Sequence, residues 1–290
     1  MRYKRMYFVI LAYVLALMLA GLIFDDPSNI LPGLWKIINT QDVLITDYVA
    51  IAGPGAAFVN SALVTLISAA ILFLARCPLN GFTITEMGLM SGFALFGKNI
   101  VNIWPIILGT WIYARIQKEP FSKYTSVALL ATALSPLVSY MGLGSLYAHP
   151  LGGILTGVFI GMVLPSLSAY TYKVQNGMNL YNMGFACGLL AMMLVPILTA
   201  VGDAPSSVLY WAEGYNLPFG VAITLMCLVF IVSGLFFSGH PAWATWASPS
   251  WRSLRTAPSS SPRCPRPAAR SPWRPAPSRS STRSTIPRTT

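Results

Sequence analysis

Residues 80–109 read NGFTITEMGLMSGFALFGKNIVNIWPIILG. This stretch decides the fold, because its two apolar elements, 82–97 and 100–114, are each shorter than the ~20 apolar residues a spanning helix needs. They are either tilted crossings or the two arms of a re-entrant hairpin. Glu86 is the one acidic residue inside any apolar element of the chain. An ionised carboxylate facing lipid costs at least ~2.5 kcal/mol. Glu86 is therefore expected to face protein or water, where it can accept a proton, bind a cation or hydrogen-bond a polar solute; the plainer alternative is solvation near an interface. Lys98 stands at the joint between the two elements and is suited to an anion or to Glu86. Twelve residues separate the pair, ~18 Å along a continuous helix, so pairing requires the chain to fold back. Asn99 and Asn102 complete a polar run in otherwise apolar sequence.

Outward from this stretch the composition is that of a membrane protein. Of 290 residues, 55% are hydrophobic and 9% charged, against about a quarter charged in soluble chains. So few charges cannot cover a water-facing surface, which argues against a soluble enzyme, a nucleic-acid-binding domain and a disulfide-stapled module. Further apolar segments at 6–24, 48–75, 125–147, 150–171, 180–201 and 217–238 predict an all-α, polytopic membrane helix bundle of seven to eight elements. The first follows Arg2, Lys4 and Arg5 and runs for 19 residues to Asp25 without a small-residue cleavage pattern. A signal peptide's apolar region is ~7–15 residues, so 6–24 reads as a retained span.

The net charge of +11 is concentrated at one end. Residues 239–290 carry nine of the nineteen basic residues, all arginine, and no acid, which leaves ten basic against eight acidic residues, a net of +2, over 1–238. The tail is built mainly from Arg, Pro, Ser, Ala, Thr and Trp, the product expected when a GC-rich gene is read out of frame. The competing reading is a native basic tail on the cytoplasmic leaflet, each Arg gaining ~1 kcal/mol from anionic lipid. Its composition predicts disorder on either account. Cys77, Cys187, Cys227 and Cys264 show no metal-ligand spacing, and His149 and His240 are the only imidazoles. No metal site, cofactor or catalytic residue is therefore assigned.

Basic residues in short loops set orientation. Arg2, Lys4 and Arg5 place the amino terminus in the cytoplasm, and the loop with Asp25, Asp26, Asp42 and Asp47 then lies outside. Arg76, the Arg115–Lys118–Lys123 loop and Lys173 lie inside, and the loop with Asp203 and Glu213 outside.

A shift of 96 residues aligns Asn80-Gly81 with Asn176-Gly177, Met87-Gly88 with Met183-Gly184, Gly92 with Gly188, Ala52 with Ala148 and Pro54 with Pro150. The block N-G-x5-M-G-x3-G predicts parallel repeat units at about 52–147 and 148–238, within a transmembrane domain over 1–238. Transporters often bind substrate at a repeat interface where helices are short or interrupted. Asn80 and Asn176, with Asn182 as the counterpart of Glu86, either line a passage or cap helices. Gly88, Gly92, Gly184, Gly188 and the series Gly153, Gly157, Gly161 recur at every fourth residue, the spacing that lets helices pack closely.

The segments NGFTITEMGLMSGFALFGKNIVNIWPIILG and NGMNLYNMGFACGLL, through the phrases F-G-K-N-x-x-N-I-x-P and N-L-Y-N-x-G-F, resemble a bacterial integral-membrane family, number fifteen-seventy-six of the domains of unknown function. The resemblance covers roughly 1–238. It implies a multi-spanning fold with duplicated units in the bacterial cytoplasmic membrane, and no established activity. Members are similar but longer, with another such unit where this chain turns into its Arg/Pro/Ser tail, which agrees with a frameshift.

The expectation is a non-enzymatic, multi-pass protein whose partners are the lipid bilayer and a small solute, with self-association left open and no nucleic acid. The pathway would be lined by Glu86, Lys98, Asn99, Asn102, Asn80, Asn176 and Asn182. The alternative is a noncatalytic membrane scaffold or an inactive truncated fragment.

Overall fold

The computed structural model describes residues 2–42, 46–77, 79–145, 148–174, 182–203 and 212–238. Asn176, the second N-G turn and the tail 239–290 lie outside the described residues.

Among the described residues the chain is an all-α bundle, and five segments are long and apolar enough to cross a membrane. These are Met6–Phe24 within α1 (Arg2–Phe24), α4 (Pro54–Leu74), the broken span Thr125–Gly144, α9 (Pro150–Val174) and α10 (Asn182–Ala200). The broken span consists of α7 (Thr125–Ala131), a 3-10 turn, α8 (Ser135–Ser139) and a π turn (Tyr140–Gly144). A final helix, α11 (Asn216–Ser238), carries a shorter apolar stretch.

The expected seven to eight elements differ from this set for identifiable reasons. The apolar segment 48–75 is two helices, α3 (Tyr48–Ala52) and α4, because Gly53 at φ +86° turns the chain. Pro54 then opens α4 at a position where its missing N–H costs nothing. The two short elements are α5 (Gly81–Phe93) and α6 (Trp104–Ile116), 13 residues each. At ~20 Å apiece they fall well short of a ~30 Å hydrocarbon core. Cys77 Sγ, in the turn before α5, donates to the carbonyl of Ser122 beyond α6, at 3.5 Å. The start of α5 and the end of α6 therefore share one end of the bundle, as both the two-crossing and the hairpin readings require.

The segment 25–47, read from sequence as a loop, contains a further helix, α2 (Pro27–Asn39). Its buried residues Ile30, Gly33, Leu34 and Ile37 have the spacing of one helical face, and α2 packs on α4.

Polarity is arranged inside out. Asn60, Ser61, Thr65 and Ser68 of α4 are fully buried, while Phe73 and Leu74, like Leu11, Leu15 and Leu19 of α1, are exposed. Apolar contacts join α1 to α4 through Val14, Leu17, Phe58 and Ala62. Met87 and Met90 of α5 join Val64 and Leu72 of α4 in a second cluster. A third unites Ile106 of α6 with Ile160 and Leu164 of α9 and Ala186 and Leu190 of α10.

At the crossing of α6 and α9 the helices approach tightly: a Cβ added at Gly109 would overlap the backbone of Val158 and one at Gly161 would overlap that of Ile106. Gly157 continues the contact against Pro105 of α6, and Gly153 meets Val138 of α8. These three α9 glycines sit in close helix contacts. At Gly88, Gly92, Gly184 and Gly188 a Cβ would meet nothing within 4 Å, so these glycines lie on faces of α5 and α10 that no described residue covers closely.

Candidate functional site

The site begins where α5 stops. At its start, Asn80 accepts from the Thr83 N–H at 3.1 Å while the Asn80 N–H donates to Thr83 Oγ1 at 3.2 Å, a capping box that satisfies two orphan donors. Asn80 is exposed, and of its two sequence readings the geometry fits the cap.

Past Ala94 the chain leaves the helix and stays unwound to Ile103. Gly97 makes the turn at φ +77°, a conformation open to glycine at little cost, with Pro136 against its open side. The turn folds the chain back. Lys98 Nζ donates to Met90 Sδ at 3.2 Å and lies 5.3 Å from the Phe93 ring centroid. Glu86 precedes Met90 by one helical turn and so shares its face. Its Oε2 accepts from Ser126 Oγ of α7 at 3.1 Å, and its Oε1 is buried without a hydrogen-bond partner. Glu86 and Lys98 are 1% and 2% exposed, and each lies in the other's electrostatic field, with Cys187 of α10 also near Lys98. They do not form a direct ion pair; among the described residues, Lys123 and Glu119 do.

Unwound backbone inside a bundle must find partners, and side chains supply them. Asn60 Nδ2 donates to the Ala94 and Lys98 carbonyls at 2.7 and 2.9 Å. Ser61 Oγ donates to the Ser91 carbonyl at 2.7 Å, and Ser135 Oγ to the Gly97 carbonyl at 3.1 Å. Asn99 Oδ1 accepts from the Val101 and Asn102 N–H groups, and Asn102 Oδ1 from the Asn99 N–H, each at 2.9 Å. Asn102 Nδ2 then reaches Ser139 Oγ at 2.9 Å, the Gly97 carbonyl at 3.1 Å and Asp42 Oδ2 at 3.2 Å. Tyr48 Oη donates to the same carboxylate oxygen at 3.1 Å. The Tyr48 N–H donates to the Leu95 carbonyl at 3.2 Å, which pins α3 over the junction.

Of the residues singled out in the sequence, the structure thus gathers Glu86, Lys98, Asn99 and Asn102. Asn182 is elsewhere engaged: its Nδ2 donates to the Ser168 carbonyl at 3.0 Å, tying α10 to α9, while its Oδ1 is buried without a partner. Sequence reasoning missed Asp42, Tyr48, Asn60, Ser126, Ser135 and Ser139. Asn60 had a signal, as a lone amide in an apolar run. Asp42 had none, because its partner Asn102 is sixty positions away.

Outside the five spans, burial pushes the Asp42 carboxyl above the usual range, opposed by hydrogen bonds from Ser139, Tyr48 and Asn102. Hydrogen bonds from Lys123 and Tyr124 hold exposed Glu119 below it. Surface depressions lie at Trp111, Arg115 and Phe121 and at Leu137, Phe159 and Leu194; neither includes the junction residues.

These features define a multi-pass helical membrane protein with a broken helix pair closed over a polar junction. Residues 26–200, more than half of the chain, match the model of a family described as protein of unknown function (DUF1576), and the chain belongs to that family. No curated protein and no solved structure matches the chain.

Proposed function

We propose that this protein carries a small polar solute across the membrane, with Glu86 and Lys98 lining the pathway at the junction of α5 and α6. One observation carries the reading: two oppositely charged side chains are buried among membrane helices without closing into an ion pair, and one carboxylate oxygen has no partner. Purely structural charges in such surroundings are expected to pair, because an uncompensated buried charge is costly. Groups held apart and incompletely satisfied are suited to a guest that supplies the missing bonds. Interrupted helices are where transporters place such sites.

The matched prolines, Pro54 and Pro150, each open a long apolar helix, and the matched glycines lie on uncovered faces in both halves, which supports a repeated architecture. The basic residues in the first turn of α1, ahead of its apolar span, support a cytoplasmic amino terminus, and the family resemblance supports a bacterial plasma membrane. The mechanism needs no catalytic residue and no cofactor.

Uptake of radiolabelled small solutes into vesicles reconstituted with the full chain, compared with Glu86→Gln, tests the proposal. We expect uptake by the parent protein and loss of at least about tenfold in the variant, the equivalent of about 1.4 kcal/mol. Equal uptake by both would remove Glu86 from the pathway. A second reading, a noncatalytic scaffold, draws on the uncovered glycine faces of α5 and α10; it expects no uptake of any solute.

A further inference from the structure

The Asp42 end of the junction has a chemistry of its own. Asp42 is 1% exposed. Tyr48 Oη and Asn102 Nδ2 donate to its Oδ2, whereas its Oδ1 is fully buried and has no partner. Both partners are neutral. Lys36, six residues before Asp42, is exposed, and Lys98 points to Met90 and toward Glu86 instead. Asp47 is occupied by the N–H groups of Val49 and Ala212. The site therefore holds one carboxyl with no cation beside it, in surroundings where an uncompensated carboxylate is expensive.

The surrounding atoms are oxygens. Asn102 Nδ2 carries two hydrogens yet lies within 3.2 Å of three of them: Asp42 Oδ2, Ser139 Oγ and the Gly97 carbonyl. It donates to two of the three at a time, while the Gly97 carbonyl also accepts from Ser135 Oγ and Asp42 Oδ2 from Tyr48 Oη. The Gly97 carbonyl comes from the unwound chain just past the carboxyl end of α5, where the helix dipole is negative. A carboxylate, a serine hydroxyl and a carbonyl of unwound backbone next to a half-helix end form a hard-oxygen donor set suited to a small alkali cation. Among the described residues, no group of three or more His, Cys, Asp or Glu side chains could hold a metal ion, so an ion here would rest on one carboxyl and neutral oxygens. A single carboxylate is balanced by a single positive charge.

We propose that Asp42, Ser139 and the Gly97 carbonyl bind a sodium ion, with Asn102 orienting the donors. The buried Oδ1 of Asp42 supplies the free oxygen, and Tyr48 holds the carboxylate in place. Binding does not depend on solute transport; where the transport reading also holds, this ion is its coupling ion.

The test is equilibrium binding of 22Na+ to the purified full chain in detergent, paired with thermal unfolding in NaCl and in choline chloride at equal ionic strength. We expect saturable 22Na+ binding and a higher midpoint in NaCl. Asp42→Asn should abolish both effects, and Ser139→Ala should weaken binding about tenfold or more. Ser139→Ala keeps the proposal testable should Asp42→Asn fail to fold. Glu86→Gln should retain sodium binding, so loss of uptake in that variant speaks to transport alone. Absence of saturable binding by the folded parent protein, or full binding by Ser139→Ala and Asp42→Asn, overturns the site. Stabilisation by acid with no response to sodium also overturns it, by showing that a proton neutralises Asp42.

Discussion

Two regions meet on α6 and bury backbone in opposite ways. Along α9 the helices touch through glycine: Gly109 and Gly161 leave no room for a Cβ, and Thr110 Oγ1 crosses to the Gly161 carbonyl at 3.0 Å. At the amino end of α6 the chain is unwound, and Asn60, Ser135 and Asn102 reach in to satisfy it. In the first region space is used up and the backbone N–H groups bond within their own helices. In the second, bonding capacity is left over, on Asp42 Oδ1, Asn60 Oδ1 and Glu86 Oε1. Lipid gives helices little hydrophobic reason to associate, so close packing and polar satisfaction must each hold part of the bundle. Only the polar solution leaves atoms that a ligand can complete.

The contrast breaks most readily at the tight crossing. Gly161→Leu forces a branched side chain into the backbone of α6, and we expect a loss of at least about 3 kcal/mol, at the upper end of overpacking costs, read as a large fall in the thermal midpoint in detergent. A midpoint within a few degrees of the parent would mean that the helices separate freely and the crossing is not tight.

Asn102→Ala comes next. It removes the amide that joins Asp42, Gly97 and Ser139 and leaves the Asn99 N–H unanswered. Stranding buried polar groups at ~1–3 kcal/mol each, partly relieved by water, should lower stability by about 2–3 kcal/mol. A neutral effect would show that water already fills the junction.

The smallest effect belongs to Gly88→Ala. With nothing within 4 Å of the new methyl, only helix propensity changes, and stability should be unchanged or rise by up to about 1 kcal/mol. A clear loss of stability or of self-association on gel filtration would instead place a second chain against that face of α5.

The sequence disclosed the two short elements, the buried charges and the α9 glycines, because each breaks a local rule: too few apolar residues, an acid in an apolar run, a fourth-residue repeat of glycine. It hid whatever depends on distant partners. Asp42 looks like a loop acid until the hairpin tip is folded beneath it, and Gly88 and Gly161 have the same spacing pattern but opposite surroundings. Helix α2 was missed because Pro27, Pro32 and Asp26 resemble loop residues, although Ile30, Leu34 and Ile37 share one face. Asn80 was ambiguous in sequence, and in the structure it caps α5.

The most direct test asks whether the junction ever sees water. Lys98→Cys, in a full chain with Cys77, Cys187, Cys227 and Cys264 replaced by alanine, would be exposed in sealed vesicles to a membrane-impermeant maleimide from each side in turn. The account predicts labelling from one side or both, slower than at a surface position such as Arg76→Cys, as the closed junction opens. A thiol that resists the reagent from both sides, yet reacts fully after unfolding in SDS, would contradict it and leave the polar junction a sealed structural core.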